Sequence, residues 1–162
     1  MAMTDREAIT DQIHRYCRAM DRIDHALGYS IWHEDGTADY GADVFRGSGR
    51  AFIDHVCTQH ANTLGHSHQM GNIVIELDGD RAASESAVTA NLRIMRGEAL
   101  MQISVWSRYL DSWSKRDGRW ALDHREAIID FDEIREVRPL HQGFGGSRDR
   151  SDPSYAVLKR SP

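Results

Sequence analysis

His68 and Asp21 are the residues of this sequence best suited to chemistry at neutral pH. His68 lies in the segment Gly65-His66-Ser67-His68-Gln69-Met70-Gly71-Asn72, just ahead of an apolar run, and Asp21 lies where the first amphipathic segment ends. An imidazole titrates near neutral pH, and a carboxylate bonded to one ring nitrogen leaves the other able to accept a proton. The two residues are distant in sequence, so they form a catalytic pair only if the fold brings them together.

Two helices are predicted before the first strand. Thr4 or Asp5 can cap the first helix, and Asp24 can cap a second, short one. The apolar residues that recur at helical spacing in the first helix are Ile9, Ile13, Tyr16, Cys17 and Met20. In the second they are Ala26, Leu27 and Ile31, flanked by Tyr29 and Trp32. These patterns place Asp21 just beyond the last buried position of the first helix.

The rest of the chain reads mainly as strands joined by tight turns. Gly36 to Phe45 predicts a strand, and Ser48 or Gly49 opens a third helix. From His66 onward the pattern has period two, which is typical of strands. Hairpin signals stand at Asp78-Gly79-Asp80, Gly97-Glu98 and Arg116-Asp117-Gly118. They separate strands predicted at Ile73–Leu77, Arg81–Arg96, Leu100–Ser114 and Trp120–Phe131.

This order predicts an α+β domain over residues 1–137. We expect the three N-terminal helices to pack on the concave face of a strongly curved, mostly antiparallel sheet and to enclose a pocket. Strands of this length imply strong twist and a bulge or two. Residues 138–162 predict a loop-like tail with Tyr155, Val157 and Leu158 as its anchors.

Six polar residues are expected to converge on the pocket. They are Asp21 at the end of the first helix, Tyr40 central in the first strand, His68, Asn91 and Arg93 on one face of the third strand, and Tyr109 in the fourth. Trp32 and Tyr29, beside the second helix, are expected to line the mouth and contact substrate. The alternatives are that the tyrosines are core residues, that Asn91 bonds within the sheet and that Arg93 lies at a subunit interface.

Composition excludes several classes of function. The 162 residues carry a net charge of −5 without a basic patch, which argues against nucleic acid as the main partner. No apolar run approaches the ~20 residues of a membrane span, and the polar N-terminus does not resemble a signal peptide, so a cytoplasmic protein is expected. His66 and His68 could begin a metal site, but no third ligand has supporting spacing. We therefore predict no metal and no cofactor.

Several local patterns resemble the SnoaL-like enzymes of the nuclear-transport-factor-two-like superfamily. The likeness spans roughly residues 4 to 135. The patterns are Ala19-Met20-Asp21, Ala38-Asp39-Tyr40-Gly41, His68-Gln69-Met70-Gly71-Asn72, Asp78-Gly79-Asp80 and Asp117-Gly118-Arg119-Trp120. Relatives of this kind include scytalone dehydratase and lindane dehydrochlorinase. The resemblance implies a cystatin-like cone that binds a small aromatic or cyclic molecule.

The resemblance also implies roles for individual residues. His68, oriented by Asp21, would remove a proton from carbon, and Tyr40 would help to polarise or protonate oxygen. Arg93 stands where we expect a second histidine in scytalone dehydratase, and a permanently protonated arginine could hold an oxyanion but would shuttle protons poorly. The expected reaction is a cofactor-independent elimination. Carbon–carbon cleavage with loss of a small aldehyde, isomerisation, a binding module without turnover and a dioxygenase subunit are the alternatives, and a homodimer or homotrimer is expected.

Overall fold

Three helices in the first half of the chain begin at side chains that cap them. In the computed structural model, which describes residues 3–140 and 145–158, these helices are α1 (Asp5–Arg22), α2 (His25–Ser30) and α3 (Gly49–Ala61). The Thr4, Asp24 and Ser48 side chains accept hydrogen bonds from the first turns of α1, α2 and α3, respectively. Each cap satisfies a backbone donor that has no partner inside the helix. The predicted helix starts are therefore confirmed.

Six strands form one curved sheet in the order β2-β1-β6-β5-β4-β3. Their bounds are β1 (Trp32–Asp39), β2 (Arg46–Ser48), β3 (Gly65–Asp78), β4 (Arg81–Arg96), β5 (Ala99–Arg116) and β6 (Arg119–Glu136). All neighbours are antiparallel except β1 and β6, which are parallel. The ladder register shifts in β3 between Met70 and Ile73 and twice in β6, so the expected bulges are present. The α+β class with a mostly antiparallel sheet is confirmed.

The first strand lies earlier in the chain than the sequence predicted. β1 begins at Trp32, and Tyr40 follows its last residue instead of standing at its centre. The reason is pairing: β1 runs beside β6 from Trp32, and its end turns back through Gly41 to pair with β2. Tyr40 therefore lies in a hairpin corner, where its backbone N–H donates to the Phe45 carbonyl at 2.8 Å.

Helix α1 covers the open edge formed by β3. Arg6 donates to the Ile75 carbonyl at 2.6 Å near the start of α1, and Asp21 accepts from the His68 backbone near its end. The Arg6-to-Asp21 interval is about 22 Å along a helix, and the Ile75-to-His68 interval is about 23 Å along a strand. Because the two spacings agree, α1 runs antiparallel to β3 and protects an edge that would otherwise expose unpaired backbone groups.

The core lies between the helices and the inner face of the sheet, which is the face that carries the buried Ser86, Val88 and Tyr109. Trp32 is only 2% exposed and packs against the backbone of Gly49. A Cβ added at Gly49 would lie 2.2 Å from the Trp32 ring, so only glycine fits this first position of α3. This close contact fixes α3 against β1.

The C-terminal segment 145–158 is held to α1 and α2 by polar contacts. Asp152 accepts from Arg22 at 3.3 Å, and the Tyr155 hydroxyl donates to Asp24 at 2.7 Å. A short helix, α4 (Ser154–Val157), interrupts the expected loop. Tyr155, one of the anchors named from the sequence, makes this partly buried contact with Asp24, whereas Val157 is 79% exposed.

Candidate active site

Asp21 and His68 are in direct contact. His68 Nδ1 lies 2.7 Å from Asp21 Oδ1, and the His68 backbone N–H donates to both carboxylate oxygens at 3.0 and 3.1 Å. The His68 side chain is only 7% exposed, and the Asp21 side chain is 15% exposed. A carboxylate at this position favours the tautomer with the proton on Nδ1, which leaves Nε2 as an acceptor. Among the residues that the structure describes, no group hydrogen-bonds to Nε2.

The contact depends on the position of β3 at the edge of the sheet. Alternate N–H groups of an edge strand point away from the sheet and need another partner. The His68 N–H is one of these, and the carboxylate of Asp21 accepts it from the last turn of α1. The same carboxylate then lies beside the ring of His68. One acidic side chain thus caps a strand edge and orients an imidazole.

The inner face of the sheet beside His68 is mostly apolar, with Asp132 at the far end of the row that starts at His68 and Ser107 in the neighbouring row. In the ladder, His68 stands opposite Ala90, which in turn stands opposite Val105. The next row on the same face begins at His66 and continues through Leu92, Ile103 and Ile134. Ile134 is 46% exposed and Ile129, on the other flank, 55%. A small hydrophobic molecule could rest on this surface with its edge at the imidazole.

Two clefts meet the dyad from the helix side. One of about 350 Å³ lies between α1 and β3, where Cys17, Arg18 and Met70 form its wall. Burial raises the pKa of the Cys17 thiol to about 12, so this cysteine is a poor nucleophile at neutral pH. The other cleft, of about 430 Å³, lies between Asp21 and the segment from Gly145 to Arg148. The C-terminal segment therefore forms part of the surroundings of Asp21.

Two further histidines lie against His68. The ring centroids of His60 and His66 are 5.6 and 6.2 Å from that of His68. Burial lowers the pKa of His60 to about 3 and lowers that of His66 below its usual range. Both rings are therefore neutral at physiological pH. Of the three, only His68 has a carboxylate bonded to its ring.

A second polar cluster lies deeper on the same inner face. Arg125 makes two bonds to Asp111, at 2.7 and 2.8 Å, and both side chains are fully buried. The guanidinium lies 4.2 Å from the Tyr16 ring centroid and 4.0 Å from that of Tyr109. The Tyr40 hydroxyl is 2.9 Å from that of Tyr16. Burial raises the pKa of all three phenols, so they remain protonated donors.

Sequence reasoning found part of this cluster and missed the rest. Tyr40 and Tyr109 were expected in the pocket, and their rings lie 6.1 Å apart, with Tyr109 buried in the core. Tyr16 and Arg125 were not singled out. In the sequence, Tyr16 occupies one of the apolar positions of α1. Arg125 places a charged residue among the inward-facing positions of β6. That interruption was the available signal, since an inward arginine is retained only where it is paired.

Asn91 and Arg93 do not face the dyad. The register pairs His68 with Ala90 and His66 with Leu92, so the residues between them in β4 point to the outer face. Asn91 accepts from Ser104 at 2.8 Å and from Gln102 at 3.1 Å on that face. The expectation that Asn91 and Arg93 bind substrate is therefore wrong in its geometry. The alternative that Asn91 bonds within the sheet is the one that the structure shows.

Trp32 and Tyr29 also lie away from the dyad. Trp32 is a core residue of β1, as its contact with Gly49 requires. Tyr29 hydrogen-bonds to Asp54 of α3, and the Arg50 guanidinium lies 4.4 Å from its ring centroid. The short helix α2 turns its aromatic side toward α3 instead of the pocket mouth. Neither residue is in position to contact a molecule held at His68.

Within the described ranges, no group of three or more His, Cys, Asp and Glu side chains is arranged to hold a metal ion. His66 and His68 share a face, but the His66 Nε2 donates to the Met20 carbonyl at 2.7 Å and is not available as a ligand. None of the helices in residues 3–140 and 145–158 is long and apolar enough to cross a membrane.

Comparison with known families gives the class of this fold. A SnoaL-like domain family matches residues 1–126, and the chain belongs to that family. No curated protein matches the sequence.

Several solved structures share the fold. A candidate scytalone dehydratase from Novosphingobium aromaticivorans DSM 12444 is 22% identical, with a TM-score of 0.70 over 86% of this chain and 95% of that one. A hexachlorocyclohexane dehydrochlorinase, LinA-type3 from Novosphingobium barchaimii LL02, is 16% identical, with a TM-score of 0.71 over 86% and 94%. A cystatin-like protein of unknown function from Nostoc punctiforme PCC 73102 is 21% identical, with a TM-score of 0.62 over 80% and 96%. At these identities the likeness concerns the fold.

Proposed function

We propose that the protein is a cofactor-independent lyase that eliminates water or another small group from an aromatic or cyclic hydrophobic substrate. The observation that carries this proposal is the 2.7 Å contact between His68 Nδ1 and Asp21, with Nε2 at the opposite end of the ring. A base of this kind typically accelerates proton transfer by roughly 10²–10⁴-fold. Family membership and the fold shared with a dehydrochlorinase support an elimination.

In the proposed reaction, His68 Nε2 removes a proton from a substrate carbon. The electron pair of that C–H bond forms the new double bond, and the leaving group departs with its own bonding pair. Asp21 stabilises the imidazolium that forms, because its carboxylate is already bonded to Nδ1–H. If hydroxide leaves, it takes one proton from a protein donor and becomes water, and the proton that His68 removed from carbon then restores that donor. If a halide leaves, His68 releases its proton to solvent.

Tyr40 is the proposed donor to the leaving or carbonyl oxygen. Its hydroxyl bonds to that of Tyr16, and both phenols lie in the field of the buried Arg125. A protonated phenol near a fixed positive charge stabilises negative charge that develops on oxygen. Tyr109, whose ring packs edge-on against Tyr16 at 5.5 Å, would support this arrangement from the sheet.

The hydrophobic substrate class follows from the surface beside His68. Ala90, Val105 and Ile103 offer no hydrogen-bonding side chains, and the partly exposed Ile129 and Ile134 extend the same surface. Asp132, opposite Val105, is the charged residue at its outer end. An apolar ring placed there would bury carbon against carbon, at roughly 25 cal/mol per Å² removed from water. The reacting carbon would then lie at the edge of this surface, beside the imidazole.

One base can serve three outcomes, and the products separate them. Elimination changes the substrate mass by one water or one hydrogen halide. Carbon–carbon cleavage releases a small aldehyde that a hydrazine reagent traps. Isomerisation leaves the mass unchanged but introduces deuterium at carbon when the reaction runs in D₂O. If the protein only binds ligands, none of these changes occurs, and binding shows no titration near neutrality.

The first test uses a nitrobenzisoxazole, a probe that reports proton removal from carbon without knowledge of the natural substrate. Loss of its ring proton breaks the N–O bond and yields a coloured cyanophenolate. We expect His68→Ala to lower kcat/KM by roughly 10²-fold or more. A panel of aromatic alcohols and cyclic halides then identifies the leaving group by mass spectrometry.

The protein contains its own control for this experiment. His25 contacts Asp54 at 3.2 Å in a second His–Asp pair, which is exposed and distant from the inner face. His25→Ala should leave the rate unchanged. Equal losses from His25→Ala and His68→Ala, or full activity of a folded His68→Ala protein, would contradict the proposal.

We also propose that the outer face of the sheet mediates self-association. The Trp106 and Phe131 rings stack there at 4.9 Å, and Phe131 and Val74 are each 60% exposed. Such exposed apolar side chains on one face are typical of an interface between subunits. The mass in solution should be that of a dimer or trimer, and Phe131→Glu should shift it to that of a monomer.

A further inference from the structure

Two adjacent residues of α1 are held by two alternate residues of β3. Asp21 accepts from His68, and the carbonyl of Met20 accepts from His66 Nε2 at 2.7 Å. The two bonds run side by side from the end of the helix to the inner face of the edge strand. The Met20 bond therefore constrains the same short segment of backbone that carries the carboxylate of the dyad.

The bond from His66 requires one particular tautomer. A carbonyl oxygen only accepts, so the proton of His66 must lie on Nε2 and Nδ1 must be an acceptor. Arg148 agrees with this tautomer, because its Nη1 can only donate and lies 3.4 Å from Nδ1. The Thr63 hydroxyl is 3.3 Å from Nδ1 but donates its proton to the His60 carbonyl at 2.8 Å. A guanidinium at this distance opposes a proton on Nδ1.

Arg148 is itself fixed in place by the end of α3. It donates to the His60 carbonyl at 2.7 Å, to the Thr63 carbonyl at 2.7 Å and to the Thr63 hydroxyl at 3.0 Å. The His60 carbonyl also accepts from the Thr63 N–H at 3.0 Å and from the Thr63 hydroxyl at 2.8 Å, so Arg148 adds to the contacts that close the end of α3. The C-terminal segment thus carries a rigid cation to the unprotonated nitrogen of His66.

We infer that His66 and Arg148 are positioning residues, which hold Asp21 in register with His68 through the Met20 carbonyl. Arg148 selects the neutral Nε2–H tautomer of His66, and His66 then fixes the backbone carbonyl that precedes Asp21. This role rests on the proposed function, because it gives the dyad its geometry. It also makes the C-terminal segment a part of the proposed active site. The charged or titratable groups around His66 are Asp21, Arg148, His60 and His68.

Substitutions of His66 separate hydrogen bonding from packing. The amide of His66→Gln can still donate to the Met20 carbonyl, whereas His66→Leu fills similar space without a donor. We expect His66→Leu to lower kcat for the nitrobenzisoxazole probe roughly 10- to 100-fold with little change in KM, since small errors in catalytic geometry have effects of this size. His66→Gln should keep most of the wild-type rate. If His66 only filled space, His66→Leu and His66→Gln would have similar rates.

Arg148→Gln tests the other end of the chain of contacts. It should lower kcat in the same direction but less than His66→Leu. Arg150→Gln is the matched control: Arg150 lies on the same segment and contacts Asp24 at 3.5 Å but not His66. Its rate should equal that of the wild type, and equal losses from the two arginine variants would overturn the assignment.

A measurement without substrate distinguishes failure of this inference from failure of the lyase proposal. The Nδ1–H of an imidazole bonded to a carboxylate gives a downfield proton signal in NMR, and Asp21→Asn identifies the signal from His68. We expect this signal to broaden or disappear in folded His66→Leu and to persist in His66→Gln. A signal unchanged in His66→Leu would overturn the positioning role, whether or not the protein acts on the probe.

Discussion

The edge of the sheet at His68 and its interior at Arg125 use charge in opposite ways. At the edge, the carboxylate of Asp21 contacts the imidazole of His68 and accepts from its backbone N–H, and the Asp21 side chain is 15% exposed. In the interior, Arg125 and Asp111 are fully buried and bonded twice. The edge pair keeps some contact with solvent, whereas the interior pair has none. The same inner face carries both pairs.

The largest expected effect comes from breaking the interior pair. Asp111→Leu leaves Arg125 buried without a counter-charge, which typically costs about 3–5 kcal/mol of unfolding free energy. Urea unfolding measures this loss. The double variant Asp111→Leu with Arg125→Met should recover much of it, because a buried ion pair can be replaced by apolar side chains. A double variant no more stable than the single one would contradict a purely electrostatic origin.

Breaking the edge pair should affect turnover more than stability. Asp21→Asn keeps an acceptor for the His68 N–H but removes the charge that stabilises the imidazolium. We expect kcat to fall by roughly 10²-fold or more and the urea midpoint to change little. If Asp21→Asn lowers the free energy of unfolding as much as Asp111→Leu does, then the edge pair is needed for stability just as the interior pair is, and this prediction is wrong.

Acid should destabilise the edge region through its buried neutral histidines. The pKa of His60 is about 3 in the folded protein and ordinarily near 6.5 in the unfolded chain, so the unfolded state binds more protons in acid. The stability is present above about pH 6.5 and is lost as the pH falls toward 3. Between pH 7 and pH 5 this amounts to about 2 kcal/mol.

The measurement for this pH effect is urea unfolding across that range. His60→Phe should flatten the slope, because the group that titrates in the unfolded state is removed. His25→Phe is the control, since the His25 side chain is 46% exposed. A slope unaltered by His60→Phe would assign the titration to another group.

The smallest effects are expected on the outer face. Asn91→Ala removes the acceptor of the buried Ser104 hydroxyl, which costs about 1 kcal/mol. Neither Asn91→Ala nor Arg93→Gln should lower the rate with the nitrobenzisoxazole probe. A large loss of kcat in either variant would mean that this face communicates with the site or forms part of it.

Local sequence signals predicted most of the fold. The caps at Thr4, Asp24 and Ser48 act within three residues of themselves, and so does the turn at Asp78-Gly79-Asp80. The signal failed for β1, because the parallel pairing with β6 joins residues that are distant in sequence. In the tail, the sequence pattern did not indicate the short helix Ser154–Val157.

The face that each strand residue occupies was harder to predict. β4 contains Ala82, Ser84 and Ser86 on its inner face, so polarity there does not mark the outside. These residues are small because Trp113 and Tyr109 of β5 fill the space beside them. In β3, the bulge after Met70 changes which alternate residues point inward. Without that bulge, Val74 and Glu76 would point to the same face as His68. With it, they point to the outer face while His68 points inward.

The sequence by itself determined where the helices begin, where the chain turns back and which two residues could act as a base and its partner. Those properties depend on near neighbours and on side-chain chemistry. Only the tertiary structure decided that α1 lies along the open edge of β3, that Arg125 lies against the rings of Tyr16 and Tyr109 and that Asn91 points outward. These follow from strand register and packing, which are set by contacts between residues distant in the chain.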